Sequence, residues 1–76
     1  MNADMILECL DEIQERLECL EVEAERLRKA VDENDPEAEV MICACSVIEE
    51  VIRRANGKAY DEIGDTKRFL KNARVA

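Results

Sequence analysis

The sequence predicts an all-α protein, and three observations carry that expectation. Residues 3–33 hold a heptad in which Leu10, Ile13, Leu17, Leu20, Ala24, Leu27 and Val31 alternate at steps of three and four, with Ile6 extending the series backwards. Only two glycines and one proline occur in 76 residues, too little turn material for a β protein. Hydrophobic residues reach 47% and charged residues 39%, so the chain has enough to bury to escape disorder. One small domain, 1–76, follows. A chain this short buries only about 60–65% of its unfolded surface, and with Tyr60 and Phe69 its only aromatics the core must be aliphatic.

The first helix is expected over 3–33, capped by Asn2 or Asp4, with Glu12–Arg16 and Glu25–Lys29 as i,i+4 pairs. "DENDPEAE" closes it and opens the next. Pro36 disfavours a helical Asn34–Asp35 junction, while Asp35 as N-cap, Pro36 in the first turn and Glu37 behind it signal a new start. The second helix is expected over 36–56, with Arg53 and Arg54 in its last turn and Gly57 as a left-handed cap. Val40, Met41, Ala44, Cys45, Val47, Ile48, Val51, Ile52 and Ala55 fill about half its circumference at ~100° per residue. Ile42 and Cys43 lie outside that half. The tail, 59–75, reads as a short C-terminal helical segment with Tyr60, Ile63, Phe69, Leu70 and Ala73 apolar and a break near Gly64.

Length then shapes the assembly. A second helix roughly ten residues shorter than the first leaves about 15 Å of it unmatched in an antiparallel hairpin. Met5, Ile6, Leu7, Cys9 and Leu10 would lack cover from the second helix, so either the tail helix folds onto them or a second subunit does, and the heptad seam with the half-apolar second helix favours a homodimeric helical bundle. The expected oligomer interface is Ile6, Leu7, Leu10, Ile13 and Leu17, joined by Ile42.

Charge separates along the chain. Residues 1–33 carry eleven acids and four bases, whereas 58–76 carry three acids and five bases. Glu8, Asp11, Glu15 and Glu18, continued by Glu25, form one outer stripe of the first helix, with Cys19 and Val22 as apolar spots beside it. Such a face keeps a protein soluble, and it also offers a docking surface to a basic partner. Carboxylates spaced at ~5–6 Å roughly mimic a row of phosphates and can occupy a cationic nucleic-acid groove. In size and charge the chain is similar to small acidic phage-encoded inhibitors, including some anti-CRISPR proteins, which occlude such grooves. The net charge of −8 disfavours direct binding of nucleic acid. Lys67, Arg68, Lys71 and Arg74 make a basic strip on the tail that is expected to neutralise acids of the first helix.

The cysteines invite a metal or redox reading that geometry opposes. With no histidine, a zinc site would need all four thiolates. Cys9 and Cys19 stand about 15 Å apart along one helix, and Cys43 and Cys45 differ by ~200° around theirs. Small thiols used as packing are the expectation, with Cys45 toward the core and Cys19 and Cys43 the more reactive pair. No cofactor and no metal is expected.

The absence of histidine also removes Ser–His and Cys–His nucleophilic machinery. "YDEIGDTKRFL" resembles the third-helix segment of the all-α nucleotide pyrophosphohydrolases (the MazG-like family). There a Glu-x-x-Asp pair helps hold Mg²⁺, and Glu62 and Asp65 match it. The resemblance implies a Mg²⁺-dependent nucleotide hydrolase fold relative, completed by a Glu-Glu-x-x-Glu cluster on the preceding helix, of which this chain has Glu49–Glu50. Against that alternative, and against a purely structural coiled-coil element, the residues favour a non-enzymatic interaction protein. Its expected role is that of an inhibitor or adaptor for a macromolecular partner with a basic surface. The N-terminus shows no basic stretch and no apolar run of spanning length, so no membrane association and a cytoplasmic location, with reduced thiols, are expected.

Overall fold

A computed structural model describes residues 3–75, with side chains described through residue 73. The N-cap candidate Asn2 and the side chain of Arg74 lie outside the described residues. Two helices make up the fold, α1 (Ala3–Lys29) and α2 (Ala38–Val75), packed antiparallel as a hairpin. The result is a rod of 62 × 16 × 13 Å, with a radius of gyration of 17.7 Å against about 11 Å for a compact chain of this length.

α1 ends at Lys29, four residues before the expected end at 33. Ala30 N–H still reaches Arg26 O at 2.9 Å, after which the backbone leaves the helix. The local reason is the Asp/Asn-rich connection. Asp32 Oδ1 accepts from Asn34 N–H at 3.0 Å, giving the backbone a partner outside the helical ladder. The next helix starts at Ala38, two residues after the expected 36, with the expected Asp35 side-chain bond in place. Asp35 Oδ1 accepts from Glu37 N–H at 2.8 Å, and Asp35 O accepts from Ala38 N–H at 3.0 Å.

The expected stop at Gly57 and the separate C-terminal helix are not what the fold adopts. α2 runs through Gly57 and Gly64 without a break, and no described glycine has positive φ. Asn56, expected from the sequence as the last residue of the second helix, is instead 3% exposed and donates from Nδ2 to the Leu17 carbonyl oxygen at 2.9 Å. Interhelical packing on both sides of the Asn–Gly pair outweighs the ~1 kcal/mol that each glycine costs a helix interior.

This continuity reverses the length argument. At ~1.5 Å per residue α2 is about 57 Å long and α1 about 40 Å, so α2 accompanies α1 to its first turn. The register is written by cross-pairs: Arg28 meets Glu49, Leu17 meets Asn56, and Asp11 meets Lys67. The first turns of α2 overshoot α1 and pack against the connection, where Leu27, Ala30 and Val31 line a groove with Met41, Ala44 and Cys45.

The buried set is thin. Ala24, Ala38, Ile63 and Leu70 are buried together with Asn56, and no large side chain is fully enclosed. Half-buried Leu7, Leu10 and Leu17 complete the seam from α1, with Val31 of the connection extending it. From α2 it is a single series at steps of three and four: Ala38, Ile42, Cys45, Glu49, Ile52, Asn56, Ala59, Ile63, Lys67 and Leu70. Among the described residues, no helix is long and apolar enough to cross a membrane.

Candidate interaction surface

The seam divides the hairpin into two unlike edges. Along one edge run polar cross-links. Arg28 Nε meets Glu49 Oε2 at 2.8 Å while Arg53 Nη2 holds the other oxygen, Oε1, at 2.7 Å. Tyr60 donates its hydroxyl to Glu21 Oε2 at 2.7 Å, and Lys67 Nζ bridges Asp11 and Gln14 Oε1. The carboxylate of Glu49 raises the pKa of the Arg28 guanidinium, through the hydrogen bond first and the charge second. The Tyr60 phenol is pushed up to about 12 by its hydrogen bond to Glu21, with burial and the charges of Glu21 and Glu18 adding to it. Ile42 lies beside this edge with Arg28, Ser46, Glu49, Glu50 and Arg53.

The other edge is apolar. Ile6, Ile13, Leu20 and Leu27, one residue per heptad, remain 37%, 47%, 41% and 46% exposed. Leu27 lies beside Met41 and Ala44, which fixes this row on the same side as Ile48 and Ala55, about one and three turns beyond Ala44 along α2. Val51 borders it and is exposed as well. Of the six residues expected at an oligomer interface, Leu7, Leu10 and Leu17 are therefore turned into the intrachain seam, and Ile42 lies toward the polar edge. Only Ile6 and Ile13 stay on an open apolar surface. The cause is the longer α2, which covers the part of α1 that a shorter helix would have left bare.

The acidic stripe occupies the back of α1, roughly opposite the apolar row. Glu8, Asp11, Glu15, Glu18 and Glu25 are all exposed. Two of the five are engaged: Asp11 by Lys67, and Glu25 Oε1 by Lys29 Nζ at 3.0 Å. Hydrogen bonding to Lys29, and its charge, hold the Glu25 carboxyl below its ordinary value. Glu8, Glu15 and Glu18 have no cationic partner among the described residues. Glu15 and Glu18 line an open cleft on the same helix with Cys19, Val22, Glu23 and Arg26, where Val22 is 53% exposed. The Lys67 pairing realises the expected neutralisation of α1 by the basic tail, whereas Arg68 pairs within α2 with Asp65 at 2.6 Å.

All four cysteines are free thiols, with Cys9, Cys19 and Cys43 exposed and Cys45 half-buried beside Val31 and Met41. Among the described residues, no three acidic or thiol side chains converge as metal ligands would. The acids of the hydrolase-like segment all stand on α2. Glu49 is held by two arginines and Glu50 by Arg54 at 2.8 Å, about 20 Å along the axis from Glu62 and Asp65.

Residues that the sequence reading passed over include Asn56, the Tyr60–Glu21 pair and the Arg28–Glu49–Arg53 cluster. Their signal was the unbroken three-four spacing from Ala38 to Leu70, visible once Gly57 is allowed inside a helix. Compared with protein-family models, with curated proteins and with solved structures, the chain matches none.

Proposed function

We propose that the chain is a non-enzymatic interaction protein, assembled as a homodimer, that docks the outer face of α1 onto a basic surface of a macromolecular partner. In this reading it acts as an inhibitor or adaptor, and the partner's surface is one that otherwise receives phosphates. One observation carries it: Glu8, Glu15 and Glu18 stand on a regular helix, exposed and without described cationic partners, beside the Cys19–Val22 apolar spot. Carboxylates held at helical spacing attract a cationic groove at range, and an adjacent apolar patch adds contact area once docked. Intrachain pairing of Asp11 and Glu25 leaves these three as the acids with charge to spare.

The test compares two baits in extracts of the native organism: the wild-type chain and Glu8→Lys/Glu15→Lys/Glu18→Lys. A partner retained by the first and lost by the second supports the reading. Equal retention by both would remove the stripe from the function.

A further inference from the structure

We infer that the apolar edge formed by Ile6, Ile13, Leu20 and Leu27 with Ile48 and Val51 is the seam against which a second copy packs, giving a four-helix dimer with its acidic stripes facing outward. This rests on the homodimeric reading above and gives it a surface, a geometry and a consequence.

Area argues first. A compact monomer of 8.7 kDa exposes about 4,700 Å². The hairpin exposes 6094 Å², an excess of roughly 1,400 Å². A standard interface takes about 800 Å² from each partner, so the excess alone accommodates one. The pattern argues second. Ile6, Ile13, Leu20 and Leu27 repeat every seven residues beside the row of half-buried Leu10, Leu17 and Val31 and buried Ala24. One row meets α2 and the adjacent row is free, the arrangement of a helix that has two neighbours in a four-helix bundle. A second hairpin carries the same period and fills the free row at every turn.

Charge argues third. The chain's net −8 opposes self-association in general, but Glu8, Asp11, Glu15, Glu18 and Glu25, five of its nineteen acids, stand on the far side of α1. The rim of the apolar edge carries both signs: Glu12, Arg16 and Glu23 on α1, and Lys58 and Glu62 on α2. A two-fold axis running along the rod lays each α1 antiparallel to α2 of the second copy at the hairpin's own register. Arg16 then comes level with Glu62 of the second copy, and Lys58 falls between Glu12 and Glu23. The stripes Glu8–Glu15–Glu18 stay on opposite outer faces, so the assembly offers two equivalent docking surfaces and binds its partner with 2:2 stoichiometry.

Sedimentation equilibrium on the purified chain tests this, with circular dichroism as a companion. The wild type is expected at about 17 kDa, and Leu20→Glu/Ile48→Glu at the monomer mass, whether or not it keeps its helicity. Arg16→Glu is expected to weaken the dimer at least tenfold, and Arg16→Glu/Glu62→Arg to recover most of that loss. A helical wild type at 8.7 kDa in the high-micromolar range would overturn the inference, as would a dimer unaffected by Leu20→Glu/Ile48→Glu. Either outcome leaves the stripe intact as a monomer's docking surface. A dimer whose partner capture ignores the Glu8, Glu15 and Glu18 reversals would instead leave the seam standing and remove the stripe.

Discussion

Asn56 donates from Nδ2 to the carbonyl oxygen of Leu17 at 2.9 Å, one helix anchored to the backbone of the other at the midpoint of the hairpin. That oxygen also accepts the i+4 amide of its own helix, so Asn56 uses its second lone pair. Asn56 shares its row with Ile63 and Leu70, seven and fourteen residues on, both buried. A buried polar group in such a row satisfies itself in one register and loses its partner in any other.

The energetic consequence is asymmetric. Asn56→Leu removes a donor without stranding the Leu17 oxygen, and it is expected to leave stability within about 1 kcal/mol of wild type or above it. Asn56→Asp sets a carboxylate against a carbonyl oxygen in a buried row and is expected to cost about 2–4 kcal/mol near neutral pH. Urea unfolding separates the two. Equal damage by both would mean that volume at position 56, not the hydrogen bond, is what the seam requires.

Gly57 and Gly64 lie inside α2 with helical backbone, and an added Cβ at either meets nothing within 4 Å. Gly57→Ala and Gly64→Ala are each expected to stabilise the fold by about 0.5–1 kcal/mol, because alanine restricts the unfolded chain and suits the helix better. Thermal unfolding reads the gain. A loss at position 57 would indicate that the chain leaves the helix there, as the Asn-Gly sequence by itself suggests.

Tyr60 supplies a pH dependence with a definite sign. Its folded pKa, about 12, exceeds the ordinary value of 10.0 because Glu21 accepts a hydrogen bond from the phenol and the site is partly shielded. The contribution is fully present below pH 10 and is lost as pH rises toward 12. Tyr60→Phe is expected to lack that alkaline decline while the wild type shows it, measured as the difference between their stabilities from pH 9 to 12. Parallel curves would mean that Tyr60 and Glu21 do not interact in the folded state.

The thiols differ in access. Cys9, Cys19 and Cys43 are exposed and Cys45 is half-buried in the groove between the connection and α2. A neutral aromatic disulfide reagent is expected to titrate three thiols rapidly and the fourth, Cys45, markedly more slowly. Four equal rates would place Cys45 outside the seam.

How much of this was legible beforehand depends on the residue. The α1 heptad, the Asp35 cap and the helical class follow from local rules, and all three appear in the fold. Gly57 was misleading because Asn-Gly after two arginines is a strong local stop signal, and only contacts across the hairpin override it. With α2 continuing past Gly57, the helix is longer than the local signal implies, and Leu7, Leu10 and Leu17 are half-buried against it. Ile6 and Ile13 stay exposed because they lie on the heptad row that α2 leaves free. The acidic stripe was visible from spacing alone, but the capture of Asp11 by Lys67 depends on residues 56 apart meeting across the hairpin, which no local pattern encodes.

The central claim is that unpaired carboxylates on the back of α1 bind a cationic surface. Isothermal titration of the captured partner with the purified chain, at about 50 and 300 mM salt, tests it most directly. The account predicts affinity at least tenfold weaker at the higher salt, and a similar or greater loss for Glu8→Lys/Glu15→Lys/Glu18→Lys at the lower. Affinity indifferent to both salt and charge reversal would contradict it.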